Sequence, residues 1–373
     1  MKAIANVSCR GALRLLTALL PLLATGVAGS VQAQQAQQAR TLSPAARAIE
    51  VRIPSETGVV LAGTLHLPAG RSKGPYPLAV MIQGYGPNQR GGFSEIIKRL
   101  ATDGIASLEY DKRGVGQSTG TYKENVEQLT ADTAAVVVAM RHRSDIIGSR
   151  IALVGHSQGG VIAPAAAAAD PHIAAVVTLA GTVGDGLPYV RRGIYRQMMK
   201  MVVGGQDARI GPAADAAMAL LQARVDNRDA GTIAHLRATA VDRFEAAGFP
   251  RPQAEQALKM IDVPEAWSAS RLRSASDLRA LQIPVLAIFG SKDSVVVDDA
   301  PAARTALASN RRARVVVLDG LGHSFQEGAV TGTPDEVAKL GPYAGSPRLV
   351  ALVGDWLRDA LSSKRGKVAG EVR

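Results

Sequence analysis

The sequence has little cysteine and few aromatic residues. A single Cys among 373 residues excludes an internal disulfide bond and a thiolate-rich zinc or iron–sulfur site. Phe, Trp and Tyr together make up 4% of the chain, which is too few for the base-stacking surfaces of single-strand nucleic-acid binders, and no zinc-finger spacing occurs. We therefore attribute the formal charge of +11 to solvated surface and expect no nucleic-acid partner.

The first residues have the pattern of a secretory signal peptide. Basic residues precede an apolar run over 15–28, and a small-residue exit ends at Ala33. The alternative, a membrane anchor, needs about 20 apolar residues, whereas this run is shorter and contains Pro21. We expect a signal peptide over 1–33, a flexible Gln/Ala-rich leader over 34–47, and a periplasmic or secreted protein with no stable membrane anchor.

Buried-strand patterns alternate with helix-length segments over most of the remaining chain, and the 47% hydrophobic residues of the full sequence are enough for a sizeable core. A β-hairpin comes first, because apolar and polar residues alternate over 49–53 and 59–67. Continuously apolar strands follow at 78–82, 105–110, 151–154, 173–179, 285–289 and 315–318, with helices at 93–102, 124–142, 158–169 and 300–308. The alternation predicts an α/β core over 48–181 and 282–361, with a mostly parallel central sheet flanked by helices.

The interval 182–281 has helix-like segments and no convincing strand. It predicts a helical cap insertion, which would enclose a pocket over the carboxyl ends of the strands and exclude water. Its residues Arg191, Arg192 and Arg196 would attract an anionic substrate or, as we favour, form a solvated face. The tail, 362–373, is expected to be disordered.

The most informative motif is Gly155-His-Ser-Gln-Gly159, between a predicted strand and an Ala-rich helix. A serine in a strained strand-to-helix turn needs glycines two residues before and after it, because side chains there would collide with the neighbouring strand and helix. The alternative is an ordinary Gly-rich turn. Since the motif has the strand before it and the helix after it, Ser157 is predicted to be a nucleophile.

A serine nucleophile needs a base, and the base needs an orienting carboxylate, which here follow in the order Ser, acid, His. Of the six histidines, His323 follows every candidate acid and lies in a Gly-rich loop at a strand end; the alternative is a surface loop histidine. Asp293 directly follows the strand 285–289 and is the preferred acid. Asp298 and Asp299 are rivals, but they fit better as capping residues of the next helix.

Two backbone N–H groups must converge on the oxyanion of the reaction. One is expected from Gln158, the residue after the nucleophile, and the second from Tyr85 in the loop Gln83-Gly-Tyr-Gly-Pro87. The alternative for this loop is a plain turn. The chemistry requires no metal and no organic cofactor.

A second polar loop follows the strand 105–110 and contains Asp111, Arg113 and Gly114. One interpretation is a contact to substrate at the strand end. We favour the other, a salt-bridged, Gly-rich loop that supports the nucleophile loop, because charged loop groups are usually structural or solvated.

These motifs together resemble the α/β-hydrolase superfamily, and within it the bacterial esterase and serine-aminopeptidase-like group. The resemblance covers about 51–361 and is carried by QGYGP from Gln83, YDKRGVGQSTG from Tyr110, GHSQGG from Gly155, FGSKD ending at Asp293 and GLGHSF around His323. Members often have His-Gly where this sequence has Gln83-Gly84. The resemblance implies triad roles for Ser157, Asp293 and His323, in agreement with the residue-level reading.

The expected function is a periplasmic or secreted serine hydrolase that cleaves carboxylic esters of a small-molecule acyl substrate through an acyl-enzyme. Two alternatives stay open. A peptidase, aminopeptidase or thioesterase would use the same triad, and a non-catalytic envelope binding protein would have the same fold. The sequence does not indicate an oligomeric state.

Overall fold

An eight-stranded β-sheet carries the residues singled out above. The computed structural model describes residues 46–68, 74–201, 208–262, 270–331, 336, 339–340 and 343–362. The strand order in the sheet is β1-β2-β4-β3-β5-β6-β7-β8. The strands are β1 (Ala46–Glu56), β2 (Val59–Pro68), β3 (Tyr76–Ile82), β4 (Ala106–Tyr110), β5 (Ile146–His156), β6 (Ala175–Leu179), β7 (Val285–Gly290) and β8 (Ala313–Leu318).

The sheet is antiparallel at one side and parallel elsewhere. β1 and β2 form the predicted hairpin, and β2 also pairs antiparallel with β4. All pairs among β3, β4, β5, β6, β7 and β8 are parallel. Every residue of β4, β6 and β7 is buried, as expected for strands covered on both faces. Because the strands run in one direction, the loops after β3, β5, β7 and β8 leave the sheet at a single edge.

Helices connect the parallel strands, as the alternating pattern predicts. The helices are α1 (Ser94–Thr102), α2 (Val126–Arg141), α3 (Gly159–Ala169), α4 (Gly186–Met201), α5 (Ile210–Val225), α6 (Ala230–Ala246), α7 (Arg251–Lys259), α8 (Ser274–Ala280), α9 (Ala300–Ala306) and α10 (Pro347–Ala360). Each predicted core helix is present within two residues at either end. α2 starts at Val126 because Asn125 caps it, accepting a hydrogen bond from the Gln128 N–H across 3.0 Å.

Residues 184–276 form a separate compact unit. α5 packs against α4 and α6, and the guanidinium groups of Arg224 and Arg237 both pair with Asp262. Apart from an isolated bridge between Asp185 and Arg273, the described part of this unit contains no strand, so its predicted helical character is confirmed.

The arginines predicted at the start of this helical unit have local partners. The guanidinium of Arg191 pairs with the carboxylate of Asp215, and that of Arg192 stacks over the ring of Tyr189 at 5.1 Å. The side chain of Arg196 is outside the part of the chain that the structure describes. These contacts suit the favoured interpretation of a partly solvated helix face.

Two ends of the core differ from the sequence expectation. β1 begins at Ala46, inside the segment predicted as leader, because β2 extends to Pro68 and pairs with Ala46 in antiparallel register. The helix α10 had no predicted counterpart. Ser346 caps it and Pro347 occupies its first turn, which together are a start signal that sequence reasoning did not use.

The terminal predictions fall almost entirely outside the described residues. The signal peptide 1–33 is outside, as are the leader up to residue 45 and the tail from residue 363. Within the described ranges, none of the helices combines the length and the apolar character needed to cross a membrane.

Candidate active site

Ser157, His323 and Asp293 come together at the edge where the parallel strands end. Ser157 follows β5, Asp293 follows β7 and His323 follows β8. The Nδ1 atom of His323 lies 2.9 Å from Oδ2 of Asp293, and its Nε2 atom lies 3.0 Å from Oγ of Ser157. With Nδ1–H donating to the carboxylate, Nε2 is the unprotonated nitrogen that accepts the serine proton. The three residues therefore form one continuous hydrogen-bonded chain.

The turn around Ser157 has the strain that the glycine spacing predicts. Ser157 has φ of 54°, in the left-handed region, and its N–H donates to the Leu179 carbonyl across 2.8 Å. A Cβ at Gly155 would lie 1.9 Å from the Gly159 carbonyl oxygen, and one at Gly159 would lie 2.2 Å from the Ile82 carbonyl oxygen. Neither position admits a side chain, so both glycines are required for the serine to stand at the strand-to-helix turn.

Asp293 is fully buried and is held by its own loop. Its Oδ1 atom accepts hydrogen bonds from the N–H groups of Val295 at 2.8 Å and Val296 at 3.0 Å, while Oδ2 faces His323. Burial alone would raise the pKa of this carboxyl, but His323 and the two amides outweigh burial and hold the pKa below its ordinary value. Asp293 is thus a charged carboxylate at neutral pH.

The two rival acids lie elsewhere. Asp298 is exposed, and Oδ2 of Asp299 accepts a hydrogen bond from the Val183 N–H across 3.1 Å. The expected capping role is wrong for Asp299: it occupies the N-cap position of α9, but its side chain makes no bond to the first turn of the helix. The carboxylate instead ties α9 to the chain segment after β6.

The environment of His323 favours its protonated form. Burial would lower the pKa of the imidazole, but the charge of Asp293 and the hydrogen bond to it outweigh burial and raise the pKa above 6.5. The loop that carries His323 approaches β7 closely, since a Cβ at Gly290 would lie 2.2 Å from the Leu321 carbonyl oxygen. The glycine of the FGSKD motif is therefore what lets the His323 loop pass over the end of β7.

His156 is a further residue of the site, which sequence reasoning set aside because it precedes the nucleophile. Its Nε2–H donates to the backbone carbonyl of His323 across 2.8 Å, and its Nδ1 accepts a hydrogen bond from the Tyr343 hydroxyl. Its ring centroid lies 5.0 Å from that of His323 and 4.9 Å from that of Tyr343. Burial, with a smaller contribution from His323, lowers the pKa of His156 to about 3. His156 is therefore neutral, and its hydrogen bond holds the loop that carries His323.

The loop after β3 lies directly against Ser157. A Cβ added at Gly84 would lie 3.2 Å from the Cβ of Ser157. The Gly84 carbonyl accepts hydrogen bonds from Nδ2 of Asn88 at 2.9 Å and Nζ of Lys112 at 2.5 Å. Gln158, the residue after Ser157, is the N-cap residue of α3, and the N–H groups at the start of a helix have no acceptor within their own helix. The loop after β3 and the N-cap residue of α3 thus both lie next to Ser157.

A model of the family described as X-Pro dipeptidyl-peptidase (S15 family) matches residues 57–338. The chain belongs to this S15 family. The matched range runs from the turn after β1 to beyond His323, and so includes Ser157, Asp293 and the loop after β3.

Relatives and solved structures agree with an α/β-hydrolase fold. The chain is 24% identical over 306 residues to Esterase EstD of Thermotoga maritima, covering 80% of this chain and 65% of the relative. It is 29% identical over 132 residues to the Thiohydrolase apmlB of Arthrinium phaeospermum, covering 35% of this chain and 42% of the relative. The chain thus spans less than two thirds of the length of both. The esterase Pf2001 of Pyrococcus furiosus is similar in fold, with a TM-score of 0.52, 15% identity, and 86% and 95% of the two chains covered. The α/β-hydrolase fold predicted from the sequence is confirmed.

The polar loop after β4 has a structural role in this S15-family chain. The guanidinium of Arg113 forms a two-bonded pair with Asp132, at 2.6 and 2.7 Å, and also contacts Glu56. The carboxylate of Asp111 accepts N–H groups from Arg90 at 2.9 Å and Gln117 at 3.0 Å. These contacts match the favoured interpretation, a salt-bridged supporting loop.

The left-handed turn of this loop also explains Gly114. The residue has φ of 66°, and a Cβ there would lie 2.4 Å from the Tyr122 backbone nitrogen.

No cluster of three or more His, Cys, Asp or Glu side chains suited to a metal ion occurs within the ranges that the structure describes.

Proposed function

We propose that this S15-family chain is a serine hydrolase that cleaves carboxylic esters through a Ser157, His323 and Asp293 triad. The observation that carries the proposal is the hydrogen-bonded chain from Asp293 through His323 to Ser157, with its links of 2.9 and 3.0 Å. Both distances fall within the range of about 2.6–3.2 Å over which a base takes a proton from a nucleophile.

In the first half of the reaction, Nε2 of His323 accepts the proton of Ser157 as Oγ attacks the acyl carbonyl carbon. The carbonyl oxygen becomes an oxyanion, which the backbone N–H groups of Tyr85 and Gln158 stabilise. His323 then donates its proton to the departing alkoxide, so that an alcohol leaves and the acyl group remains bonded to Ser157. Asp293 keeps Nδ1 protonated and stabilises the imidazolium that forms.

In the second half, a water molecule replaces the alcohol. His323 accepts one proton of the water while its oxygen attacks the acyl-enzyme carbonyl, and the same two N–H groups stabilise the second oxyanion. Collapse of this intermediate breaks the bond to Oγ, His323 returns the proton to Ser157, and the carboxylic acid leaves. The residues named supply every proton transfer in the cycle.

Two other reactions use the same residues, and each has an observation in its favour. The family model is described as an X-Pro dipeptidyl-peptidase, which favours amide cleavage after proline. The similarity to a thiohydrolase favours thioester cleavage. Ester cleavage is preferred because the relatives matched over most of this chain, Esterase EstD and the Pf2001 esterase, are named as esterases.

The test compares p-nitrophenyl esters of graded acyl length, an X-Pro p-nitroanilide and an acyl thioester as substrates of the wild-type protein and Ser157→Ala. We expect ester turnover to dominate and to fall by about 10⁵-fold or more in Ser157→Ala. The control is Ser144→Ala, because Ser144 is an exposed residue of the turn after α2. Ester turnover that survives in Ser157→Ala would refute the proposal, and faster X-Pro amide or thioester turnover would reassign the substrate.

A non-catalytic binding protein is separated from an enzyme by a fluorophosphonate probe. An enzyme is labelled at Ser157, whereas a binding protein that has merely the fold is not. Export to the periplasm or medium remains a proposal from the sequence, and the N-terminal residue of the native protein tests it. Cleavage after Ala33 would place Gln34 first.

A further inference from the structure

Lys112, in the polar loop after β4, is buried between the two segments that bracket Ser157. The residue is 5% exposed, and its ammonium donates to the Gly84 carbonyl at 2.5 Å and to Oε1 of Gln158 at 3.1 Å. We propose that Lys112 is a positioning residue of the oxyanion site, which fixes the peptide group before Tyr85 and the residue Gln158 in the orientation that catalysis needs. This inference rests on the proposed function.

The peptide group between Gly84 and Tyr85 is held at its carbonyl oxygen. The one cis peptide bond among the described residues joins Gly74 to Pro75, so the Gly84–Tyr85 bond is trans. In a planar trans peptide, the C=O and the following N–H point in opposite directions. Donors that hold the Gly84 oxygen on one side therefore aim the Tyr85 N–H to the other. Lys112 is one such donor, and it is the charged one.

Asn88 is the second donor and is itself tied to Lys112. Its Nδ2 atom contacts the carbonyl oxygens of Gly84 at 2.9 Å and Tyr85 at 2.8 Å. The backbone N–H of Lys112 in turn donates to the Asn88 carbonyl at 3.3 Å. The loop after β3 is thus attached to the loop after β4 through both the main chain and the side chain of Lys112.

Gln158, which carries the other expected oxyanion donor, is held at both ends of its side-chain amide. Its Oε1 atom accepts from Lys112, and its Nε2 donates to the carboxylate of Glu124. The same carboxylate accepts the Gly86 N–H at 3.2 Å and the hydroxyl of Tyr122. Glu124 therefore closes a ring of contacts that joins both sides of the oxyanion site. A change at Lys112 would loosen both sides together.

The protonation state of Lys112 depends on its burial and on the nearby carboxylate of Glu124. Burial lowers the pKa of Lys112 to about 8, although the nearby carboxylate of Glu124 opposes the shift. The ammonium also lies 5.8 Å from the ring centroid of Tyr122, whose hydroxyl donates to Glu124. The neighbouring charges point elsewhere, since Asp111 faces the amides of Arg90 and Gln117 and Arg113 faces Asp132. The charge of Lys112 is therefore expected to be lost above about pH 8.

The experiment measures kcat and KM across pH for the wild-type protein and for Lys112→Met, Lys112→Arg and Glu124→Gln. Lys112→Met keeps the length of the side chain but removes its donors and charge. Lys98→Met is the matched control, because Lys98 is a half-exposed lysine of α1 that pairs with Glu95. Circular dichroism and the final extent of fluorophosphonate labelling at Ser157 report whether each variant is folded.

We expect Lys112→Met to lower kcat by about 10- to 100-fold with little change in KM, less than the ~10²–10³-fold loss on removing an oxyanion donor itself. Lys112→Arg is expected to recover part of that loss, because it restores a charged donor. Wild-type kcat should decline as pH rises through about 8, and this decline should be absent in Lys112→Met. A kcat of Lys112→Met within about twofold of wild type, or an unchanged alkaline decline in that variant, would overturn the inference.

Glu124→Gln tests the same claim if Lys112→Met does not fold. This substitution keeps the size of the side chain but removes the negative charge that opposes the lowered pKa of Lys112. The alkaline decline should then move to lower pH, and a decline that does not move would contradict the inference.

The failure of this inference differs from the failure of the proposed function. If wild-type protein hydrolyses no acyl substrate, or if Ser157→Ala remains active, the proposed function itself is wrong. If Ser157→Ala is inactive while Lys112→Met is as active as Lys98→Met, only the role of Lys112 is wrong.

Discussion

His156, the residue before the nucleophile, donates a hydrogen bond from Nε2 to the backbone carbonyl of His323 across 2.8 Å. The residue that precedes Ser157 therefore holds the loop that carries the general base. Tyr343 fixes the tautomer needed for this bond, because its hydroxyl donates to Nδ1 and leaves the proton of the ring on Nε2. The dipeptide His156-Ser157 thus supplies the nucleophile and also positions the loop that carries its base.

Two substitutions, His156→Leu and Tyr343→Phe, test whether His156 holds the His323 loop in position. His156→Leu removes both hydrogen bonds and fills the site with an apolar side chain. The resulting displacement of His323 should lower kcat by about 10- to 100-fold. Tyr343→Phe leaves Nδ1 of a buried histidine unpaired and should cost about 1–3 kcal/mol of the free energy of unfolding. Steady-state kinetics and urea unfolding measure the two effects.

Since Tyr343 acts through His156, the losses of kcat caused by the two substitutions should not add. In a double-mutant cycle, Tyr343→Phe should change kcat little in the His156→Leu background. Fully additive losses would show that the two residues act separately.

The assignment of Asp293 as the orienting acid is tested against its rival in the same loop. Asp293→Asn removes the charge that stabilises the imidazolium and holds the tautomer of His323, so kcat should fall by about 10⁴-fold. Asp298→Asn is the control, because Asp298 is exposed, and its kcat should match that of the wild type. A larger loss in Asp298→Asn than in Asp293→Asn would reverse the assignment.

The pH dependence of kcat/KM should report the protonation of His323. His323 acts as a base in its neutral form, and its pKa in the folded protein lies above 6.5 because Asp293 outweighs burial. Activity should therefore fall as pH decreases through a midpoint above 6.5. In Asp293→Asn the midpoint should move to lower pH, because the negative charge is gone while the burial remains. A midpoint below 6.5 in the wild type would contradict the account of this pair.

The substitution Arg113→Leu tests which interpretation of the loop after β4 is correct, a supporting role or a contact to substrate. The side chains of Arg113 and Asp132 are 3% and 1% exposed, so Arg113→Leu leaves the buried carboxylate of Asp132 without its cation and should cost about 3–5 kcal/mol of the free energy of unfolding. Under conditions where the variant is folded, kcat/KM should be unchanged. Lys98→Met, which breaks a half-exposed pair, should alter unfolding little. A loss of kcat/KM without a loss of stability would instead indicate a contact to substrate.

The sequence predicts those parts of the molecule that local pattern determines. The parallel strands are found because their residues are continuously apolar, and the turn at Ser157 because a strand, two required glycines and a helix follow one another within a short segment. The order of Asp293 and His323 along the chain then selects them from several candidates. Their approach to Ser157 follows from the parallel strands, which end at one edge.

The parts that sequence reasoning missed depend on contacts between distant segments. His156 meets its partners 167 and 187 residues further along the chain, and nothing in the local sequence indicates either contact. Lys112 is charged and lies in a polar loop, so its residue type gives no sign that it is buried against Gln158. Helix α10 differs, because Ser346 and Pro347 mark its start locally and the signal was available.

The central claim is that Ser157 carries the acyl group during turnover. The direct test is to mix the protein with an activated ester, stop the reaction in acid within the first turnover, and locate the added acyl mass by peptide mapping. The account predicts one acyl group, bonded to Ser157 and absent in Ser157→Ala. An acyl group on another residue, or ester turnover with no acyl group on Ser157, would contradict it.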